Sequence, residues 1–213
     1  MNANKFLKLF FLSALIAVMF TTCKKDDNNK GEFIVSGTIS GEHANWTEVS
    51  VSVDFGETWA ETAPILNGKF SIKLPIPSTQ YLIPLEIEEY PDKIEISDKN
   101  VKVGTAAFFV SKGDQTEILT LKDASILPLF GAGVVATYVY ADKNVNISGT
   151  IDEKNELLGI SIKTVVDQKY KKGWNTLVVT SSGFLTGNWT ITSKTDNVPS
   201  GVVWVVDGNP LEN

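Results

Sequence analysis

Apolar and polar residues alternate with a period of two along most of this chain. In Val49-Ser50-Val51-Ser52-Val53-Asp54-Phe55 the odd positions are apolar and the even ones polar. Phe70-Ser71-Ile72-Lys73-Leu74, Val145-Asn146-Ile147-Ser148-Gly149-Thr150-Ile151 and Leu158-Gly159-Ile160-Ser161-Ile162 repeat the pattern. An extended strand sends successive side chains to opposite faces, so each alternation predicts one face on a core and one in water. The 3.6-residue period of an amphipathic helix is hard to find. Asn67-Gly68, Lys112-Gly113-Asp114, Lys172-Gly173 and Asp207-Gly208 supply turn signals between the runs. Many short strands separated in this way predict an all-β chain built as antiparallel sandwiches.

Two stretches break the rhythm. Tyr81 to Ile87 alternates, but Pro84 has no N–H for a ladder, which predicts an edge strand. Ile126 to Ala136 carries Pro128, Gly131 and Gly133 and is too broken for a long helix. It reads as a crossing between two halves, followed by a buried strand from Val134 to Tyr140. A short internal echo agrees with two halves, since Val35-Ser36-Gly37-Thr38-Ile39 returns as Ile147-Ser148-Gly149-Thr150-Ile151. The expected organisation is therefore two sandwich-like domains, 33–125 and 126–213, behind an N-terminal leader.

In the first of these domains, Phe33-Ile34-Val35-Ser36-Gly37-Thr38-Ile39 is followed by Val49-Ser50-Val51-Ser52-Val53 and Asn67-Gly68-Lys69-Phe70-Ser71-Ile72. That order resembles the transthyretin-like, carboxypeptidase-regulatory-like β-sandwich, over roughly residues 33 to 88. The turn between its first two strands departs from the family, with Glu42-His43-Ala44-Asn45-Trp46-Thr47 in place of proline and glycine. The resemblance implies a non-catalytic module, used as a spacer or for binding.

The leader, 1–22, has Lys5 and Lys8 ahead of an apolar run from Leu9 to Phe20 broken only by Ser13. Such a run rises about 18 Å as a helix, too short for a hydrocarbon core of about 30 Å, and reads as a secretory signal. It ends in Thr21-Thr22-Cys23, which holds the only cysteine of the chain. This resembles the lipobox of bacterial lipoproteins of the Bacteroidetes type, with Phe20 where an aliphatic residue is usual. The resemblance implies that Cys23 carries lipid and becomes the first residue; the plainer alternative is a free thiol near an ordinary cleavage site. The polar run after it predicts a flexible tether, 23–32. Lys24, Lys25, Asp26 and Asp27 resemble the surface-export signal of such lipoproteins, which implies the outer face of the outer membrane; a periplasm-facing anchor is the alternative. Tyr138-Val139-Tyr140-Ala141-Asp142 and Tyr170-Lys171-Lys172-Gly173-Trp174-Asn175 also resemble segments of Bacteroidetes lipoproteins, and bring a location with no activity.

Charge narrows the partners. Two of the 19 lysines precede Cys23 and all 25 acids follow it, which leaves 17 lysines against 25 acids, a net charge of −8. Arginine is absent, and with it the usual bidentate grip on phosphate. Such a surface is not expected to hold nucleic acid or anionic lipid headgroups. Nor is a cofactor expected: no phosphate-cradling glycine loop occurs, and His43 is the only histidine. Asp142-Lys143-Asn144-Val145-Asn146 spaces oxygen ligands like the start of a calcium loop, but Ile147 stands where that loop needs glycine. Glu86 with Glu88, or Asp152 with Glu156, are the carboxylate pairs a glycosidase would need. They read more simply as solvated strand faces. The chain is therefore expected not to be an enzyme.

The aromatic residues carry the remaining signal. Trp46 and Trp59 lie in polar, loop-like surroundings, where an exposed indole stacks on sugar or anchors an interface. Both are candidate ligand contacts, with packing as the competing role. Trp174, Trp189 and Trp204 fit a core. The expected function is a binding role at the envelope, held to the membrane by lipid, with a glycan or an envelope protein as ligand. The alternative is a structural adhesin or pilus-like subunit assembling through exposed strand edges, at Tyr81 or Val202 to Val206. A hydrolase is the third.

Overall fold

The computed structural model describes residues 32–40, 45–54, 60–85, 93–123, 133–156 and 159–207. The leader, Cys23, the tether with Lys24, Lys25, Asp26 and Asp27, His43, Trp59, Glu86 and Glu88, and the crossing up to residue 132 lie outside the described residues. Within them the chain is all-β. Its strands are β1 Phe33–Ser40, β2 Glu48–Ser52, β3 Glu61–Pro64, β4 Lys69–Leu74 and β5 Ile83–Pro84. Next come β6 Ile94–Ile96, β7 Lys102–Thr105, β8 Ala107–Lys112, β9 Gln115–Asp123 and β10 Gly133–Ala141. The last five are β11 Val145–Asn155, β12 Ile160–Tyr170, β13 Gly173–Ser182, β14 Asn188–Thr195 and β15 Val202–Asp207.

The turns do what their residues require. Asn67 and Gly68 both have positive φ, 53° and 71°, the geometry of a two-residue hairpin that suits Asn-Gly. They join β3 to β4, with Leu66 and Lys69 bridging across the turn. Gly113, at φ 58°, closes the β8–β9 hairpin.

The strands pair into one branched sheet. Its main path runs β3-β2-β8-β9-β10-β13-β14-β12-β11-β6. It divides at β9, which pairs β8 through Gln115 to Ile118 and β15 through Ile118 to Asp123. The β15 branch continues to β1 and β4, while β7 joins β10 to β5. One connection could not be read from local pattern. β14 lies between β12 and β13, parallel to the first and antiparallel to the second.

Two hydrophobic cores result. The first gathers Val35, Val49, Val51, Phe70, Ile72, Phe108, Leu119, Leu121, Tyr138 and Trp204. Trp204, fully buried, lies 5.0 Å ring to ring from both Phe70 and Phe108. The second gathers Ile94, Val101, Val139, Ala141, Ile147, Ile151, Ile162, Leu177, Val179, Trp189 and Ile191. Strands β10 and β13 serve both. Ala136, Tyr138 and Val178 face the first core, and Val139, Ala141, Leu177 and Val179 face the second. Burial on both faces explains why Val134 to Tyr140 lacks alternation.

The pairing does not confirm two separate halves. β15 bonds to β1 and β9, β7 bonds to β10, and the first core draws residues from both sides of position 125. The repeated motif forms strands with the same inward positions, Val35 and Ile39 in β1, Ile147 and Ile151 in β11. At Gly149 a Cβ would collide with the Lys93 carbonyl and the Ile94 side chain of β6, so β6 can approach β11 closely there.

Two further expectations need correction. Val202 to Val206 is no exposed edge: it forms β15, antiparallel to β9 along its length and parallel to β1 at Trp204 and Val205. Ser50 and Ser52, expected in water, are buried together with Asp54; the Ser52 hydroxyl donates to the Asp54 carboxylate at 2.6 Å. A hydrogen bond is what lets polar groups lie buried on that face. Pro84 does sit on an edge strand, β5, which among the described residues pairs only with β7.

Candidate functional site

The tryptophans sort mainly into structural places. Trp46 is half-buried and packs against the first core, while Trp59 is outside the described residues. Trp189 is 8% exposed, and its indole N–H donates to the Ser181 hydroxyl at 2.6 Å. Trp174 donates to the Pro75 carbonyl at 3.0 Å and meets the Tyr140 ring edge-on.

The side-chain oxygens of Asp142 and Asn144 hold loops together. Asp142 Oδ1 accepts from the Lys102 backbone N–H at 2.9 Å, and Asn144 Oδ1 accepts from that of Lys172 at 2.7 Å. The segment is a strand start, with β11 opening at Val145.

A more open arrangement lies on the solvent face of β11, β12 and β14. Antiparallel β11–β12 pairing sets Asp152 opposite Lys163 and Lys154 opposite Ser161. Parallel β12–β14 pairing then sets Lys163 beside Thr190 and Ser161 beside Asn188. Paired residues share a face. Two rows therefore cross the three strands, Asp152–Lys163–Thr190 and Lys154–Ser161–Asn188. They flank a trough of about 540 Å³. Between the rows run Glu153, Ile162 and Trp189, whose alternation turns them to the other side of the sheet. There Ile162 and Trp189 are buried in the second core, which fixes the backbone floor from behind.

The six residues of the two rows offer two ammonium groups, a carboxylate, two hydroxyls and an amide. Lys154 has one weak restraint, an ion pair to Glu156 at 3.5 Å with both side chains mostly in water. The sequence pointed to Asp152 alone of these six residues. The others occupy the polar positions of alternating strands, and only the insertion of β14 beside β12 brings Asn188 and Thr190 to them.

The trough has a defined place relative to the N-terminal segment. Phe33 opens β1 against Leu74 of β4, and its ring meets Tyr138 near the end of β10. Pro75, just after β4, accepts the Trp174 indole bond at the start of β13. Residues 1–32 thus join at the pole that holds the β10–β11 and β12–β13 turns. From Val145 at that pole, β11 climbs roughly 25 Å to Glu153 at about 3.3 Å per residue. The trough belongs to the opposite pole.

Comparison of the chain with protein-family models, with curated proteins and with solved structures finds no match.

Proposed function

We propose that this chain is a lipid-anchored envelope protein of the outer membrane, not an enzyme, that presents a glycan-binding trough to the cell exterior. The observation that carries the proposal is the placement of the six-residue trough at the pole opposite the N-terminal segment. A lipid on Cys23 would tether the chain at one pole and leave the other, farthest from the attachment, accessible. Rows of hydroxyl, amide, carboxylate and ammonium groups suit a ligand rich in hydroxyls, since each of them donates or accepts hydrogen bonds.

Assembly through strand edges is the weaker reading. The strands paired on one side only among the described residues are β3, β4, β5 and β6. They are short or carry proline or lysine, features that discourage pairing with another chain.

Two measurements test the proposal. Protease accessibility on intact cells compares the native protein with a Lys24→Ala, Asp26→Ala, Asp27→Ala variant. The native protein is expected to be cleaved and the variant spared; a native protein spared despite lipid on Cys23 overturns surface display. Glycan-array screening followed by calorimetry compares the native protein with Lys163→Ala and Asn188→Ala. Each loss of a hydrogen bond of about 1 kcal/mol weakens binding roughly fivefold. Unchanged binding in both variants removes the trough as the site, and failure to bind any glycan removes the ligand class.

A further inference from the structure

We infer that the pole joined to the N-terminal segment is itself a docking face for the phosphate-bearing headgroup layer of the bilayer. The inference rests on the lipid anchor proposed above and goes beyond it, because an anchored protein on a loose tether need not touch the membrane. From Cys23 to Phe33 is ten residues, which reach at most about 35 Å when extended. That length permits free tumbling as readily as docking, so the surface itself has to decide.

That pole carries both features an interfacial surface needs. Ile76 is 69% exposed. It lies between Pro75, bonded to Trp174, and Pro77, which is close to Gly104 at the start of the β7–β10 pairing. Ile83 of β5 is 46% exposed, and it pairs with Val103, the partner of Ala141 at the end of β10. Around these residues stand Lys102, Lys171 and Lys172, all exposed and without an ion pair among the described residues. Lys102 is next to Val103 in β7, and Lys172 is held by Asn144 in the turn beneath it. Exposed isoleucines enter the headgroup boundary, and lysines beside them meet its phosphates. Leu185 is more exposed still, at 79%, but stands at the opposite pole, in the turn between β13 and β14. Exposure of a large apolar side chain therefore does not alone define the face; the lysines beside the isoleucines do, against the net negative charge of the chain.

The chain has one cysteine, and the anchor occupies it, so a second cysteine can be labelled alone. Lipidated protein with Ile76→Cys or Leu185→Cys, each carrying a small fluorophore, is reconstituted into vesicles of phosphatidylethanolamine and phosphatidylglycerol. Half the samples contain a headgroup-level quencher lipid. Docking is expected to quench the label at 76 several-fold more than that at 185. Lys171→Gln and Lys172→Gln are each expected to lower the docked-to-undocked ratio about fivefold. Equal quenching at 76 and 185 with lipid present on Cys23 overturns the docking face and leaves the anchor standing. A mass spectrum showing Cys23 without lipid overturns the anchor and this inference with it.

Discussion

Thr137 sits in the middle of β10, fully buried, and its hydroxyl has no hydrogen-bond partner among the described residues. Its neighbour across β13 is Leu177, a member of the second core. A buried hydroxyl left unpaired costs about 1 to 3 kcal/mol, while valine has nearly the same shape. Thr137→Val is therefore expected to stabilise the protein by about 1 kcal/mol in urea unfolding. A loss of stability would mean that the hydroxyl is bonded in solution. Tyr170 is the opposite case, a buried polar group with its partner. Its hydroxyl donates to Gln168 Oε1 at 3.0 Å, and the Gln168 amide donates to Ser193 at 2.8 Å. Burial pushes the Tyr170 phenol well above its ordinary value. A raised folded-state pKa gives stability that is complete below the unfolded value, about 10, and is lost as the pH rises beyond it. Tyr170→Phe is expected to flatten that alkaline loss, and to cost about 1 kcal/mol at neutral pH through the missing bond. An alkaline stability profile unchanged by the substitution would remove Tyr170 as its source.

Among the elements, β4 tests whether the sheet resists pairing with another copy. Its inward residues Phe70, Ile72 and Leu74 are buried, and among the described residues it pairs with β1 alone. The Ile39 backbone N–H donates to the Gly68 carbonyl at 2.8 Å. Antiparallel bonding recurs at every second pair, so the backbone groups of Phe70, Ile72 and Leu74 face β1. Those of Ser71 and Lys73 point to the open edge. Lys69 and Lys73 guard it, the latter paired with Glu32 at 2.6 Å. A Lys69→Thr, Lys73→Thr variant is expected to dimerise in sedimentation experiments where the native protein stays monomeric. A variant that remains monomeric would show that the lysines are not what keeps the edge apart.

Strand β4 was fully legible in the sequence because one face meets a core and the other meets water. The Asn67-Gly68 turn was legible for its own reason, since both residues tolerate positive φ. β2 was misread on one face, where Ser50 and Ser52 are buried beside Asp54. Local alternation reports polarity and not what covers it. The trough was nearly invisible. Asp152, Lys154, Ser161 and Lys163 look like ordinary solvent-facing positions until β14 brings Asn188 and Thr190 beside them. That adjacency depends on which strand fills the gap between β12 and β13, and pairing over such distances leaves no mark on either strand alone.

At the scale of the whole molecule, the question is whether residues 33–125 form a unit that stands by itself. Such a fragment keeps β1 to β9 and loses β10, β13 and β15. Losing β15 removes Trp204 from between Phe70 and Phe108. It also strips the β15 side of β9 and takes Val202 and Val206 from the first core. Losing β10 takes Tyr138, which otherwise meets both Phe33 and Phe108. Deleting one large buried aromatic side chain costs about 3 to 5 kcal/mol, against a total stability of about 5 to 15 kcal/mol for a typical domain. With two such residues and several valines gone, the fragment is expected to show no cooperative urea transition. The complementary 126–213 fragment loses β6 and β7 and with them Ile94, Val101 and Val103 of the second core. The intact chain is then expected to unfold in one transition. Phe108→Ala in the first core and Ile147→Ala in the second should both shift it, because β10 and β13 belong to both cores. Two separable transitions, each moved by only one substitution, would restore two independent halves despite the shared strands.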